Sequence, residues 1–276
     1  MKGGQKESLP VLLKGLKLPA FVKHYREIAR QAEQHGLGFE DYLGHLAELE
    51  VEERRRRRTE RALKESNLPP GKTLATLDLS RLPAPVRRQV PTLCEGGFVE
   101  RAENLLAFGL PGRGKTHLIA ALGYELITRG YRVLFTPAYQ LVQQLLKSKR
   151  DLTLDKEIRR LDAFDVVILD DIGYTQQDRA EMEVLFTFLA ERYERRSVLI
   201  TSNLVFSQWD RIFKDPMTTA AAIDRVVHHA IILEMVGPSR RREAAEKANG
   251  REKLDDIPVD VLAAATSAEQ PARGPQ

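Results

Sequence analysis

Residues 109–116 read Gly109-Leu110-Pro111-Gly112-Arg113-Gly114-Lys115-Thr116. This stretch fits the phosphate-binding pattern G-x-x-x-x-G-K-[ST] at every fixed position, between a predicted strand and a predicted helix. Its glycines let backbone N–H groups converge on phosphate oxygens, and the helix N-terminus adds partial positive charge. We therefore expect an ATP site in which Lys115 reaches the β- and γ-phosphates and the Thr116 hydroxyl binds Mg²⁺. The predicted nucleotide contacts are Gly109, Pro111, Gly112, Arg113, Gly114, Lys115, Thr116 and His117.

A second stretch, Val166-Val167-Ile168-Leu169-Asp170-Asp171, is an apolar run that ends in two acids. Such a strand is buried on both faces of a parallel sheet, and its carboxyl end lies at the edge where α/β folds bind ligands. Asp170 is therefore predicted to lie beside the magnesium ion, and Asp171 to orient and deprotonate the attacking water. The alternative is that these acids only cap the following turn or helix.

Two further residues are candidates for catalysis. Asn203 follows the apolar run 197–201 and is predicted to contact the γ-phosphate and the attacking water, although it could instead begin the next helix. Arg225 lies just before the last predicted strand, where it could stabilise charge on a neighbouring subunit's γ-phosphate. From the residues alone, an ordinary surface pair between Asp224 and Arg225 is the favoured alternative.

Beyond residue 100 the chain alternates short apolar runs with helical stretches, which is the pattern of a parallel sheet covered by helices. Before it, residues 9–68 have helical periodicity, and Pro69-Pro70-Gly71 ends that region. The predicted strands are 104–108, 132–135, 165–169, 197–201 and 230–234. The predicted divisions are a helical N-terminal DNA- or partner-binding module at 1–68, a connector at 69–100, the nucleotide domain at 101–248 and a flexible tail at 249–276.

Composition narrows the class of protein. No stretch approaches the roughly 20 apolar residues of a membrane span, and the N-terminus lacks the apolar core of a secretory signal, so a cytoplasmic protein with no membrane partner is expected. The single cysteine, Cys94, cannot form an internal disulfide. The six histidines show no zinc-like spacing, so the sequence predicts no structural metal.

A dense run of arginines, 54–58, indicates a polyanionic partner, with nucleic acid the first candidate. Helical periodicity places Arg54, Arg57, Arg61 and Lys64 along one face, which would bind phosphates without reading bases. A solvated charged helix is the alternative. The residues predicted to bind DNA are Arg54, Arg55, Arg57, Arg58, Arg61 and Lys64.

Taken together, these motifs resemble the IstB family of transposition helper ATPases, which is grouped with the DnaC-like helicase loaders in the AAA+ class. The resemblance covers about residues 9 to 248 and depends on an ordered set of short motifs. These motifs are 16–19, 54–61, 73–74, 109–117, 169–174, 201–204 and 224–229.

The resemblance implies an α/β fold: an AAA+ P-loop NTPase with a five-stranded parallel sheet in the order 5-1-4-3-2, preceded by a small all-helical N-terminal domain. It implies ATP- and Mg²⁺-dependent assembly on double-stranded DNA, as a homo-oligomer with ATP sites between subunits. That assembly would recruit and stimulate a partner transposase and help to choose the insertion target. In this pattern Asn203 is the sensor residue and Arg225 the arginine finger.

Three positions depart from the family pattern. Arg113 stands where such loops usually carry Thr or Ser, and Asp171 replaces a commoner Glu with a longer reach. The segment Pro238-Ser239-Arg240-Arg241 replaces Gly-x-Ser-Tyr-Arg, which makes Arg241 a weaker candidate for a second sensor.

Other functions remain open at this point. A DnaC-like helicase loader is the nearest alternative. A small-molecule kinase would share the phosphate loop, but Asp170 and Asp171 on a separate strand fit water activation better. The sequence has no Asn-Lys-x-Asp motif for guanine, which disfavours a GTPase. A non-hydrolysing, nucleotide-gated DNA scaffold differs from an ATPase in having no role for Asp171 as a base.

Overall fold

The N-terminal region of the computed structural model is helical. The structure describes residues 8–173, 178–204 and 226–235. Pro19 lies in the first turn of the second helix, where its missing N–H costs no hydrogen bond, and Gly36 ends that helix in the left-handed conformation. The helices are α1 (Leu9–Gly15), α2 (Pro19–His35) and α3 (Phe39–Glu65).

The long helix α3 is buried at only a few points. Phe39, Leu43, Leu46 and Leu49 recur at helical spacing, which predicts one buried stripe. Of these four, Leu46 is 1% exposed, whereas Phe39 is 95% exposed and Leu43 and Leu49 also reach solvent. The buried carboxylate of Glu50 accepts the backbone N–H of Ala20 at 2.9 Å, which joins α3 to the start of α2.

The segment after α3 packs onto the following domain. Apolar side chains such as Leu77, Leu82 and Val86 share one buried cluster with residues of the first strand and the helix after it. The backbone N–H of Phe135 donates to the Ser66 carbonyl at 2.7 Å, which fixes the end of α3 to the sheet. This segment contains 3₁₀ turns at Leu74–Thr76 and Leu79–Arg81, and the helices α4 (Ala84–Glu95) and α5 (Gly97–Glu100).

A five-stranded sheet forms the centre of the region that follows α5, and its strands pair in parallel. The strand order is β2-β3-β4-β1-β5, which confirms the predicted order read from the opposite edge. Its strands are β1 (Asn104–Phe108), β2 (Val133–Pro137), β3 (Val166–Ile172), β4 (Ser197–Ser202) and β5 (Ala230–Glu234). Its helices are α6 (Lys115–Thr128), α7 (Ala138–Arg150), α8 (Leu154–Asp162) and α9 (Arg179–Arg192).

Strand β3 is longer than the apolar run predicts. The apolar run predicts a strand at 165–169 that ends before the two acids, but β3 continues through Ile172, with a register shift between Leu169 and Ile172. Asp171 lies in this irregularity with a φ of 63°. A bulge of this kind redirects a side chain at the end of a strand. Asp170 still pairs with Pro137 of β2, so the irregularity affects only the pairing of β3 with β4.

Within the described ranges, no helix combines the length and the apolar character needed to cross a membrane.

Candidate nucleotide site and basic surface

The glycine-rich loop connects β1 to α6, as its sequence context predicts. Gly109, Gly112 and Gly114 all have positive φ, at 151°, 81° and 90°. A Cβ at Gly109 would lie 2.4 Å from the backbone oxygen of Met235, the residue directly after β5. Only glycine fits this position, because both its φ and the close backbone oppose a side chain.

Lys115 lies in the first turn of α6 and is 6% exposed. Its ammonium group donates to the carbonyl of Gly109 at 2.5 Å and to that of Leu110 at 3.2 Å. These hydrogen bonds hold the cation inside the loop. Phosphate oxygens are stronger, charged acceptors for the same donors.

Asp170 is the acceptor at the centre of the site. Its Oδ1 accepts the Thr116 hydroxyl at 2.9 Å and the Thr201 hydroxyl at 2.6 Å. Burial raises the pKa of Asp170, and the hydrogen bonds from Thr201 and Thr116 oppose that rise. The hydroxyl of Thr116 and the carboxylate of Asp170 therefore form an oxygen pair of the type that Mg²⁺ accepts, joined to the phosphate loop.

Asp171 is held by its backbone and not by its carboxylate. Its N–H donates to the Thr201 hydroxyl at 2.8 Å, and its φ of 63° turns it out of the strand. The side chain is exposed. No hydrogen bond or ion pair joins its carboxylate to any residue in the described ranges, so the group is available to a water molecule.

Thr201 is a site residue that sequence reasoning did not assign. It lies at the end of β4, donates to Asp170 and accepts from Asp171, so it sets the spacing of the two acids. The signal was a hydroxyl residue near the end of a buried strand. That signal is too common to identify a role before strand order is known.

Asn203 directly follows β4 beside the phosphate loop. The pairing of Phe108 with Ser202 continues into a hydrogen bond from the Gly109 N–H to the Ser202 carbonyl at 3.2 Å. The Asn203 amide group has no hydrogen bond to a residue that the structure describes. Its position beside the loop therefore suits the predicted contact with the γ-phosphate.

The segment after α3 contacts the phosphate loop through His117. The ring Nε2 of His117 lies 3.1 Å from the Thr76 hydroxyl and 3.2 Å from the Thr73 carbonyl. Lys72, in the same segment, is close enough to Asp170 for its charge to lower the pKa of that carboxyl. His117 therefore joins the loop to the polypeptide that leads back to α3.

Arg113 is half-buried within the loop, and its Nη1 is buried without a hydrogen-bond partner among the described residues. Pro111 has an exposed position in the same loop. The predicted finger Arg225, the segment 238–241 and the predicted tail 249–276 lie outside the described residues.

The arginine run is partly neutralised by glutamates of the same helix. Arg54 donates to Glu50 at 2.9 Å, and Arg57 donates to Glu53 at 2.6 Å. Hydrogen bonds from Arg56 and Arg57 lower the pKa of Glu53 to about 2. The predicted positive face is thus weaker than periodicity indicates, because Arg54 and Arg57 are ion-paired, whereas Arg61 and Lys64 have no carboxylate partner in the described ranges.

Arg55, Arg58 and Arg61 lie beside the C-terminal end of α6. Arg58 donates to the Gly130 carbonyl at 3.4 Å, just beyond α6. Two adjoining cavities, of about 340 and 290 Å³, lie between α3 and this end of α6. We call this surface the arginine cleft, defined by Arg55, Arg58, Arg61, Arg129 and Arg132.

The charge of the arginine cleft is mostly uncompensated. Arg132 is paired with Glu65 at 3.3 Å. Arg55, Arg61 and Arg129 have no carboxylate partner in the parts of the chain that the structure describes. The cleft therefore joins two elements into one positive surface, whereas the sequence suggested a single helix face.

The sheet order and the loop geometry define the class: this is a P-loop nucleotide-binding protein of the α/β type. More specifically, the chain belongs to the family described as IstB-like ATP binding protein, whose model matches residues 11–248. That match confirms the resemblance drawn from the short motifs.

Individual proteins agree with this assignment. A putative insertion sequence ATP-binding protein of Sinorhizobium fredii (strain NBRC 101917 / NGR234) is 45% identical over 87% of this chain and 81% of its own length. The insertion sequence IS21 putative ATP-binding protein of Pseudomonas aeruginosa is 37% identical over 87% of this chain and 91% of its own length. Among solved structures, DnaI has a TM-score of 0.51 at 24% identity, over 64% of this chain and 95% of DnaI, which shows a shared fold.

Proposed function

We propose that this protein hydrolyses ATP with Mg²⁺ and couples that reaction to assembly on DNA as the helper of a transposase. The observation that carries the enzymatic part is the Thr201 bridge: one hydroxyl holds Asp170, which also accepts from Thr116, and fixes the backbone of Asp171. A site that only bound nucleotide would need no such placement of a second, exposed acid.

Each residue of the nucleotide site has a separate proposed role in ATP hydrolysis. Lys115 would bind the β- and γ-phosphates, and Thr116 with Asp170 would hold Mg²⁺, which would neutralise phosphate charge. Asp171 would accept a proton from the attacking water and so act as general base. Arg113 and His117, together with the glycines and Pro111 of the loop, would complete the nucleotide contacts.

Two residues are assigned to sensing and to the neighbouring subunit. Asn203 would contact the γ-phosphate and the attacking water, which its place beside Gly109 supports. Arg225 would reach the γ-phosphate bound by the next subunit, which requires a homo-oligomer with ATP sites between subunits. This role depends on the family pattern.

Double-stranded DNA is the proposed polyanion for the arginine cleft. Its uncompensated guanidinium groups suit phosphate oxygens, and the absence of interleaved aromatics in the sequence of the arginine run argues against base reading. Helix α6 begins at the phosphate loop and ends at this cleft, so ATP and DNA would contact opposite ends of one rigid helix. DNA binding and nucleotide state would thereby be coupled.

We also propose that the protein recruits and stimulates a transposase and helps to choose the insertion target, as the family resemblance implies. Relatives carrying insertion sequence names support this context. The alternative function, a helicase loader, is supported only by the fold that the chain shares with DnaI. A cytoplasmic location remains our expectation for a DNA-bound helper.

The experiment that tests this proposal measures ATP hydrolysis with and without double-stranded DNA while particle size is followed in the same samples. We expect turnover to rise with DNA and a large particle to form when ATP and DNA are both present. A chain that stays monomeric, ignores DNA and transfers phosphate to a small acceptor would contradict the proposal and indicate a kinase.

A further inference from the structure

A cluster of potential metal ligands lies away from the phosphate loop. Glu194, His228 and His229 each offer one ligand atom, and these atoms all lie within 4.8 Å of one another. All three residues are exposed, so an ion could reach them from solvent. They come from two segments: the turn after α9 and the residues immediately before β5.

The turn that carries Glu194 is fixed by a buried arginine. Arg192 is 2% exposed and donates to backbone carbonyls near the α8 end and at the β4 start. Its acceptors are the carbonyls of Leu161, Phe164, Asp165 and Ser197, at 3.0 to 3.1 Å. Glu194 therefore follows a rigid anchor by only two residues.

The segment that contains His228 and His229 is fixed at both of its ends. The Asn104 amide donates to the Val226 carbonyl at 3.1 Å and accepts the Val198 N–H at 2.9 Å. Val226 is buried, and β5 pairs with β1 from Ala230 onward. Both ligand-bearing segments are thus held before any ion binds, as a precise metal site requires.

The backbone at the cluster is unusual for its side chains. Glu194 and His229 have φ of 54° and 63°, in the left-handed region. Glycine is the usual residue where a helix ends in this conformation, since it avoids the cost of a Cβ there. At both positions the chain instead carries a residue with a metal-ligating side chain.

A neighbouring hydroxyl orients one of the rings. The Tyr193 hydroxyl lies 2.8 Å from Nδ1 of His228, which leaves Nε2 of that ring for a ligand. An outer hydrogen bond to the second ring nitrogen is the usual companion of a metal-bound histidine, because it fixes the tautomer and the ring plane. The rings of His228 and His229 have centroids 4.0 Å apart.

We propose that Glu194, His228 and His229 bind a divalent transition-metal ion of the Zn²⁺ type, with Tyr193 as the orienting partner. Two imidazoles and one carboxylate form a set that Zn²⁺ accepts, and the exposed side leaves a position for water or another ligand. The ion would tie the end of α9 to the segment that directly follows Arg225 in the chain. Residue spacing along the sequence conceals the site, because Glu194 is distant from the two histidines.

The test uses the full chain without a histidine tag, freed of metal by a chelator and then titrated with Zn²⁺ against a chromophoric competitor. We expect one ion per chain. Glu194→Gln and His229→Asn should abolish this site, and asparagine is chosen because it tolerates the left-handed backbone. Tyr193→Phe should weaken binding about 10- to 100-fold while removing only the hydroxyl.

His45→Asn is the matched control, since His45 is exposed on α3, and it should bind Zn²⁺ as the unmodified chain does. ATP affinity, measured in parallel, should be equal in every variant and so reports correct folding. Co²⁺ uptake should give visible absorption that disappears in His229→Asn. The proposal is overturned if the unmodified chain takes up no ion, or if the Glu194 and His229 variants bind as well as the control.

Discussion

The hydroxyl of Thr201 lies 2.6 Å from the carboxylate of Asp170 and donates a hydrogen bond to it. The same hydroxyl accepts the Asp171 N–H at 2.8 Å. One side chain on β4 therefore fixes both acids of β3. The position of the proposed base depends on a neighbouring strand and not on its own side-chain hydrogen bonds.

Thr201→Val tests this bridge, because valine keeps the branched shape and removes the hydroxyl. We expect ATP hydrolysis to fall about tenfold, equivalent to about 1.4 kcal/mol in the barrier. Loss of the acceptor for a part-buried N–H should also lower the free energy of unfolding by about 1–3 kcal/mol. Steady-state hydrolysis and urea unfolding measure the two effects. Thr201→Ser should retain much of the activity, and equal rates for valine and threonine would remove the bridge from the mechanism.

Gly109→Ala should disrupt the loop, because the new Cβ meets the Met235 backbone oxygen and the φ of 151° disfavours any side chain. We expect ATP binding to be lost and stability to fall by at least about 1–3 kcal/mol. Gly44→Ala is the matched control: its Cβ meets nothing within 4 Å, and alanine in α3 should stabilise by about 0.5–1 kcal/mol. Calorimetry with ATP and urea unfolding measure both outcomes. A Gly109→Ala chain that binds ATP normally would refute the proposed loop geometry.

Asp170→Asn should keep or raise the free energy of unfolding while it abolishes ATP hydrolysis. Burial raises the pKa of Asp170, so the folded chain keeps a proton there more readily than the unfolded chain. The charged form therefore costs stability as pH rises above the ordinary carboxyl value near 3.8. Without nucleotide, the variant should be at least as stable as the unmodified chain at neutral pH, and this advantage should vanish in acid. Thermal unfolding across pH checks the sign.

The same variant should lose Mg²⁺-dependent hydrolysis, because the amide cannot replace the carboxylate beside the ion. Hydrolysis that continues at the normal rate in Asp170→Asn would remove this residue from the metal site.

The arginine cleft should determine the salt dependence of DNA binding. Replacing Arg55, Arg58 and Arg61 together by alanine should weaken binding and reduce the slope of log affinity against log salt by about 0.9 for each phosphate that is no longer neutralised. Arg56→Ala is the control, because Arg56 is already paired with Glu53 and Glu60. Fluorescence anisotropy at several salt concentrations measures both. Identical slopes for the triple variant and the control would move DNA binding elsewhere.

The phosphate loop and its flanking elements could be predicted from the sequence. Both signals, the glycine spacing and the apolar runs of a parallel sheet, depend only on residues that are neighbours in the chain. The bounds of β1 and β5 agree with the predicted strands, and the acids of β3 were found by their position after an apolar run. Their mutual geometry was not predictable, since Thr201 reaches them only through the pairing of β3 with β4.

The electrostatic surroundings of the arginine run could not be predicted from the sequence. Periodicity placed Arg54 and Arg57 on one face but could not show that Glu50 and Glu53 pair with them. The contribution of Arg129 and Arg132 was also hidden, because it depends on how α3 lies against the end of α6. Charge density can be read from sequence, whereas net field at a surface needs the packed structure.

The role of Asp171 as the base is tested by comparing Asp171→Asn with the unmodified chain, measuring ATP affinity and ATP hydrolysis in the presence of double-stranded DNA. Asparagine accepts the left-handed backbone of this position, so the substitution removes the base with little change in shape. We predict equal ATP affinity and loss of turnover in the variant. Unaltered turnover would contradict the assignment of Asp171 as the base.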